Sequence, residues 1–229
     1  MNSFVNKSYS FFSVSRERME SFRAFFDRHG TAIVASVLSA ISVWAFVHYY
    51  SNGLGIAYND ARSHLDIGRR VVEGLRPGFA QLGSVWLPLT HLLMTLTIWN
   101  DFMWHSGLAG ALWSMISFVA TGIMLFLFLR EMRVGLLGRY AGVIVFAANL
   151  NILYLQSTAM TELGLIGTTM AASYFLLLWY TRNKLSFLLL SALFVMLSTL
   201  IRYDGWFLFF FMSLMLFVSA WKSGGYRKA

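Results

Sequence analysis

The chain has 229 residues, of which 58% are hydrophobic and 12% are charged, and its mean hydropathy is +0.62. Soluble domains carry about twice that share of charged residues, so the composition excludes an ordinary soluble globular protein. The formal net charge is +8 and there is no cysteine, which excludes disulfides, thiolate metal sites and cysteine nucleophiles. The positive charges lie beside apolar segments, where they indicate orientation in a membrane better than nucleic-acid binding.

Residues 1–30 form a basic N-terminal region that we expect to be cytoplasmic and not cleaved as a signal peptide. Its apolar and basic side chains alternate at helical spacing, which predicts a short helix on the cytoplasmic leaflet. A frayed basic tail is an equal alternative. The residues that carry this pattern are Met19, Phe22, Phe25 and Phe26, with Arg16, Arg18, Arg23 and Arg28 between them.

Six apolar segments follow, each at or near the length of about 17–20 residues that crosses a bilayer as a helix. The fold class predicted is therefore an all-α membrane protein with six transmembrane helices in a module at 31–221. A long first external loop, residues 51–104, should contain amphipathic surface helices. A basic cytoplasmic tail occupies 222–229. We place the spans at residues 31–50, 105–129, 140–155, 163–180, 185–201 and 205–221.

The apolar segment 85–99 decides the orientation of everything after it. If this segment does not cross the membrane, 13 of the 18 lysines and arginines lie on the cytoplasmic side; if it crosses, only six do. The positive-inside rule favours the first arrangement. We therefore expect both termini in the cytoplasm, with the long loop and the turns near residues 156–162 and 202–205 outside.

The polar stretch 58–89 begins with Asn59 and Asp60, whose side chains can cap a helix. The sequence predicts an amphipathic helix that starts here and stops by Gly74. Asp60 is either the cap of this helix or a site residue. His64 is expected to be the helix neighbour of Asp60, because one histidine and one carboxylate make an incomplete metal site. The other charged residues of this helix should form a solvated face: Asp66, Arg69, Arg70 and Glu73.

Two further charged positions lie at the predicted outer boundary. Glu162 follows Thr161 at the start of an apolar span, where Thr161 can cap the helix and Glu162 suits its first turn. A carboxylate at membrane depth also tends to mark function. Arg202 is either an interfacial anchor paired with Asp204 or a phosphate contact, since guanidinium matches phosphate oxygens in a forked geometry.

Three segments together carry a resemblance to a known class. They are YNDARSHLDIGRRVVEGLRPGFAQLGSVWLPL at 58–89, NLNILYLQSTAMTE at 149–162 and LSTLIRYDGW at 197–206. In this order and on one face of the membrane they resemble the integral-membrane glycosyltransferases of the GT-C class. The likeness is to the family 39-like branch, with its dolichyl-phosphate-mannose protein mannosyltransferases and bacterial lipid-sugar transferases.

The resemblance implies transfer of a sugar from a polyprenyl-phosphate donor to a lipid, glycan or protein acceptor, outside the cytoplasm of a bacterial or archaeal cell. It assigns Asp60 and Glu162 as catalytic residues. It gives Arg202 and Arg62 to the donor phosphate. Supporting roles go to Asn59, His64 and Asp204. A divalent metal, Mg²⁺ or Mn²⁺, is optional in the class, and Asp60 and Glu162 would be its ligands.

Members of this class are normally longer, so the resemblance implies an N-terminal module. Two alternatives remain open from the sequence. The first is that the chain is a non-catalytic subunit of the same fold that needs a second membrane subunit. The second, which fits the sequence less well, is that the chain is a transporter. The transporter is disfavoured because the charged residues gather at one surface and not at mid-membrane.

Overall fold

The computed structural model describes residues 2–82 and 85–226, with side chains over 19–82 and 85–222. The side chains of Arg16 and Arg18, and residues 227–229 of the predicted basic tail, lie outside that range. The described regular structure is entirely helical, which confirms the all-α prediction. It consists of α1 (Asn2–Ser51), α2 (Asn59–Val72), a 3₁₀ turn (Phe79–Gln81), α3 (Pro88–Met94), α4 (Asp101–Ser106), α5 (Leu108–Glu131), α6 (Leu136–Ala147), α7 (Leu150–Leu155), α8 (Glu162–Arg182), α9 (Leu185–Ile201) and α10 (Asp204–Tyr226).

Four of these helices are long and apolar enough to cross a membrane. Their apolar parts are Met19–Ser51, Leu108–Glu131, Glu162–Arg182 and Asp204–Lys222. Two shorter apolar helices, Leu136–Ala147 and Leu185–Ile201, lie where the third and fifth spans were predicted. The prediction of a helical membrane protein is confirmed at this level. The count of six spans stays a prediction.

The predicted third span, 140–155, is not one helix. The helix α6 ends at Ala147, and the side chain of Asn149 then accepts a hydrogen bond from the backbone N–H of Ile152 to begin α7. A helix of 12 residues is about 18 Å long at ~1.5 Å per residue, well short of a hydrocarbon core of about 30 Å. The prediction of a continuous helix here is wrong because an asparagine cap restarts the backbone.

The N-terminal helix is also different from the prediction. A single helix, α1, runs from Asn2 to Ser51 with no break at Gly30. A side chain at Gly30 would meet the ring of Phe126 in α5, so the glycine allows close packing between the two helices. The short surface helix predicted before residue 30 is instead the first part of one continuous helix.

The ends of the helices form two groups. At one end, Arg139 in the first turn of α6 pairs with Asp27 of α1 at 2.7 Å, and Arg182 at the end of α8 pairs with Glu131 at the end of α5 at 2.8 Å. At the other end lie α2, α3, α4, the start of α8 and the turn between α9 and α10. We call the latter the loop end. Between the two ends, α5 packs against α1 on one side and α8 on the other, and α9 covers α8.

The connection 156–161 was predicted to be an external turn, but all six of its residues are buried. Gln156 is bonded to Ser42 of α1: the Ser42 hydroxyl donates to its Oε1 at 2.6 Å, and its Nε2 donates to the Ser42 carbonyl at 3.2 Å. The Ser114 hydroxyl of α5 donates to the Met160 carbonyl at 2.9 Å. These bonds satisfy polar groups that would be costly to bury alone, and they fix the start of α8.

Of the four charged residues predicted to form a solvated face on α2, three are exposed (Asp66, Arg70 and Glu73), but Arg69 is buried and only 7% exposed. Its guanidinium donates to the Ile98 carbonyl at 2.8 Å and pairs with Glu73 and with Asp101. It also lies 4.7 Å from the ring centre of Trp104. Leu65 and Ala61, one and two turns before Arg69 on the same side of α2, pack in an apolar cluster with Met94, Ile98, Ala109 and Ala159. One side of the helix is therefore held by both polar and apolar contacts.

The contact between α5 and the buried connection gives a first prediction. A Cβ at Gly110 would overlap Ala159 Cβ and lie 2.8 Å from its Cα. Because backbone must move to relieve the clash, Gly110→Ala should lower the free energy of unfolding by about 1–3 kcal/mol. Thermal unfolding in detergent measures the change. Gly135→Ala is the matched control, since a Cβ there meets nothing within 4 Å; equal melting temperatures for the two variants contradict the packing.

The burial of Arg69 gives a second prediction. Arg69→Leu leaves the Ile98 carbonyl without its donor and the carboxylates of Glu73 and Asp101 without their cation. The variant should lose about 2–4 kcal/mol of stability and release α2, which limited proteolysis will detect between residues 59 and 101. Arg70→Leu changes the adjacent, exposed arginine and should be near neutral. A loss as large at Arg70 as at Arg69 rejects the role assigned to Arg69.

Candidate functional site

Four segments of the chain surround a cavity of about 270 Å³ at the loop end. They are the start of α2, residues 85–87 before α3, the start of α8, and the turn between α9 and α10. Its polar lining consists of Asp60, His64, Thr161, Glu162, Arg202 and Asp204, with Trp86, Met160 and Ile201 among its apolar walls. The structure therefore brings five residues predicted from separate segments into one cavity.

Asp60 lies in the first turn of α2, whose N-terminal cap is Tyr58 with no capping side-chain bond. The prediction that Asp60 caps the helix through its side chain is wrong. Its carboxylate is exposed and forms no hydrogen bond or ion pair with any residue that the structure describes. Asp60 therefore presents an unengaged carboxylate to the cavity.

Arg202 connects the turn between α9 and α10 to the start of α8. Its Nη1 donates to Glu162 Oε1 at 2.8 Å and to the Thr161 hydroxyl at 3.0 Å, and its Nε donates to Asp204 at 3.1 Å. The predicted local pair with Asp204 is present. The predicted side-chain cap by Thr161 is not, since the Thr161 hydroxyl receives Arg202 instead and makes no capping bond.

Two atoms in this group remain available to a ligand. Glu162 Oε2 is buried and has no hydrogen-bond partner in the described chain. Arg202 Nη2 likewise makes no hydrogen bond to the described residues, although the other two nitrogens of that guanidinium do. A buried acceptor without a donor costs free energy, so the site is suited to a molecule that supplies one.

His64 and His91 form a buried pair beside the cavity. His64 Nδ1 lies 2.8 Å from His91 Nε2, and the side chains are 2% and 0% exposed. Burial lowers the pKa of His64 from 6.5 to about 4, with Arg202 acting in the same direction. Burial also lowers the pKa of His91 to about 4, assisted by the charge on His64. Both rings are therefore neutral at pH 7.

Two predicted residues are not part of the cavity lining. Arg62 and Asn59 are exposed on α2, and neither lines the cavity. His91 had no predicted role, although a histidine within the apolar segment 85–99 was a signal. The ring of Trp86 lies against His64 with centroids 4.7 Å apart.

Oxygen ligands for a divalent ion are present but incomplete. Asp60 and Glu162 supply the carboxylates that Mg²⁺ and Mn²⁺ prefer, and one oxygen of Glu162 is unpartnered. Within residues 2–82 and 85–226, however, no three side chains of the histidine, cysteine, aspartate and glutamate types are grouped to hold a metal ion. An ion here would need water or a substrate oxygen to complete its shell.

An apolar groove of similar size lies beside the cavity, between α3, α5, α8 and α9. The two share Met160, Thr161 and Ile201 in their walls. The groove is lined mainly by apolar side chains and small residues, including Leu93, Trp113, Gly164, Phe194 and Leu197. A polar cavity beside an apolar groove suits an amphiphilic molecule.

The lowered pKa values of the histidine pair give a third prediction. Between pH 6.5 and about 4 the unfolded chain binds protons that the folded chain does not, so stability falls as pH falls through this window. His91→Gln removes one titrating ring and should make that fall shallower. Thermal unfolding across pH 4–7 measures it. His105→Gln, at an exposed histidine, should leave the slope unchanged; parallel curves for the wild-type chain and His91→Gln refute the prediction.

Comparison with known proteins found no relative of this chain. No family model matches the chain, no curated protein matches it, and no solved structure matches it.

Proposed function

We propose that this chain transfers a sugar from a polyprenyl-phosphate donor to an acceptor hydroxyl on the extracytoplasmic side of a membrane. The observation that carries the proposal is the meeting of Asp60, Glu162, Arg202 and Asp204 in one cavity. These residues come from the three segments that resemble GT-C glycosyltransferases. Nothing in their sequence spacing requires them to be close together.

The shape of the site supports a lipid-linked substrate. A phosphosugar head group needs polar partners, and an isoprenoid chain needs an apolar surface that excludes water. The cavity supplies the first and the adjoining groove supplies the second, with Thr161 in the wall of both. A soluble nucleotide sugar would leave the groove unused.

The charge distribution supports an extracytoplasmic site. The cavity lies at the loop end, whereas Arg130, Arg139, Arg182 and Lys184 lie at or beside the opposite ends of the helices. The positive-inside rule places that opposite end in the cytoplasm. The proposed reaction therefore takes place on the outer side, where polyprenyl-phosphate sugars are the available donors.

In the proposed reaction, the acceptor oxygen forms a bond to C1 of the sugar as the bond from C1 to the phosphate oxygen breaks. The proton of the acceptor hydroxyl passes to the free carboxylate of Asp60, which acts as general base. The polyprenyl phosphate leaves with the bonding electrons. Arg202 stabilises the negative charge of the leaving phosphate through Nη2, the guanidinium nitrogen that is not bonded to Glu162 or Asp204.

Glu162 has two roles in this scheme. Through Oε1 it orients Arg202, and through the unpartnered Oε2 it accepts a hydrogen bond from the substrate. A Mg²⁺ or Mn²⁺ ion held by Asp60 and Glu162 would supply further neutralisation of the phosphate. Arg62, exposed beside Asp60, contributes positive charge at the mouth of the site.

The fourth prediction tests the carboxylates. Asp60→Asn and Glu162→Gln should each reduce sugar transfer by a factor of about 10²–10⁴, because general-base catalysis contributes on that order. The measurement is transfer of labelled sugar from polyprenyl-phosphate donors in membranes that contain the chain. Expression and the melting temperature in detergent should be retained.

Asp66→Asn is the control for the carboxylate variants. It makes the same chemical change two turns along α2 at a residue outside the cavity, so transfer should stay within about twofold of wild type. Full activity of both Asp60→Asn and Glu162→Gln would refute the site assignment. A wild-type chain that is inactive alone, but copurifies with a second membrane protein and is active with it, would support the non-catalytic subunit instead.

A further inference from the structure

His64 lies in the cavity wall with one ring nitrogen unused. Its Nδ1 is bonded to His91 at 2.8 Å, and its Nε2 makes no hydrogen bond to the residues that the structure describes. Trp86 covers the ring from one side with a centroid separation of 4.7 Å. Since His64 lines the cavity and Nδ1 points to His91, Nε2 is the nitrogen that remains for a ligand.

The hydrogen atom between the two rings can be assigned. Two neutral imidazoles share a hydrogen bond only if one donates and the other accepts. Besides His64, the hydrogen-bond acceptor that acts on His91 is the backbone carbonyl of Leu87, four residues earlier at the N-cap of α3. Their contact falls short of standard hydrogen-bond geometry, since His91 Nδ1 has no partner by that criterion.

A carbonyl oxygen only accepts, so it favours a hydrogen on His91 Nδ1; a bare nitrogen there would set two lone pairs against each other. With its hydrogen on Nδ1, His91 must accept through Nε2. The donor is then His64 Nδ1–H, and His64 Nε2 carries a lone pair and no hydrogen.

We infer that His64 accepts a hydrogen bond from a substrate hydroxyl through an unprotonated Nε2, and that His91 is the positioning residue that holds it in this tautomer. The inference deepens the proposed function and rests on it for the identity of the substrate. The ionised phosphodiester of the donor has no hydrogen to donate, so the partner is a hydroxyl of the donor sugar or of the acceptor. Asp60, one turn earlier on α2, takes a proton, whereas His64 orients a hydroxyl.

Nitrogen-15 NMR of histidine-labelled protein in detergent tests the tautomer without any substrate. His64→Gln identifies the resonances of that ring by their loss. In the wild-type chain, His64 should show a protonated Nδ1 and a bare Nε2. His91→Leu removes the acceptor and should shift His64 toward the other tautomer, whereas His91→Gln offers an amide oxygen in place of Nε2 and should restore the wild-type pattern.

The fifth prediction concerns the same variants in sugar transfer. His91→Leu should lower kcat/KM about tenfold, the effect of one lost hydrogen bond to the substrate, and His91→Gln should recover to within about threefold. Varying the donor and then the acceptor shows whose KM rises, and so which hydroxyl His64 binds. A fold-only role for His91 would lower the amount of active protein and leave KM unchanged for both.

Two results would overturn the inference: a hydrogen on His64 Nε2 in the wild-type chain, or a His91→Leu variant that keeps both the tautomer and kcat/KM. Failure of the proposed function would give a different set of results from failure of this inference. A wild-type chain without sugar transfer contradicts the reaction, while the NMR experiment still reports the tautomer.

Discussion

The hydrogen bonds of Arg202 hold the candidate site together. One guanidinium joins the turn between α9 and α10 to the first residues of α8, through Glu162, Thr161 and Asp204. The side chains of Arg202 and Glu162 are about one third and one quarter exposed, and partly exposed ion pairs contribute ~1 kcal/mol or less to stability. The arrangement therefore positions groups more than it stabilises the fold, and an incoming phosphate can compete for the same guanidinium.

The buried connection 156–161 complements this ion pair. Arg202 can meet Glu162 only if α8 begins at a fixed depth, and that depth is set by polar bonds from Gln156 to α1 and from Ser114 to the Met160 carbonyl. The close approach of Gly110 to Ala159 allows the connection to pass against α5. A polar segment inside a helical bundle is stable because its groups find partners there, and the result is a rigid start for α8.

Much of the fold could be predicted from the sequence because apolar length is a local property. The long helices could be predicted from runs of apolar residues, and the short segment before α4 from its proline. The chemistry of Asp60, Glu162 and Arg202 marked each of them as a possible site residue, but their spacing is not diagnostic, and only the resemblance predicted that they act together. Contacts between distant residues were not predictable: the pairing of His64 with His91 spans 27 positions, and that of Ser42 with Gln156 spans 114. Arg69 was assigned to solvent for the same reason, since its partners Ile98 and Asp101 lie in another segment.

The orientation of α2 links these long-range contacts to the chemistry. Successive residues of a helix are about 100° apart around its axis, so a shift of one position would turn Asp60 away from the cavity. Three contacts prevent this: Arg69 with Ile98 and Asp101, Leu65 within its apolar cluster on the same side, and His64 with His91 about 100° around the helix. The first two act only on the fold, whereas the third also sets which nitrogen faces the cavity. The same helix thereby presents an exposed carboxylate at Asp60 and a buried imidazole at His64, one turn apart, so that two oxygen or nitrogen acceptors of different chemistry face one cavity.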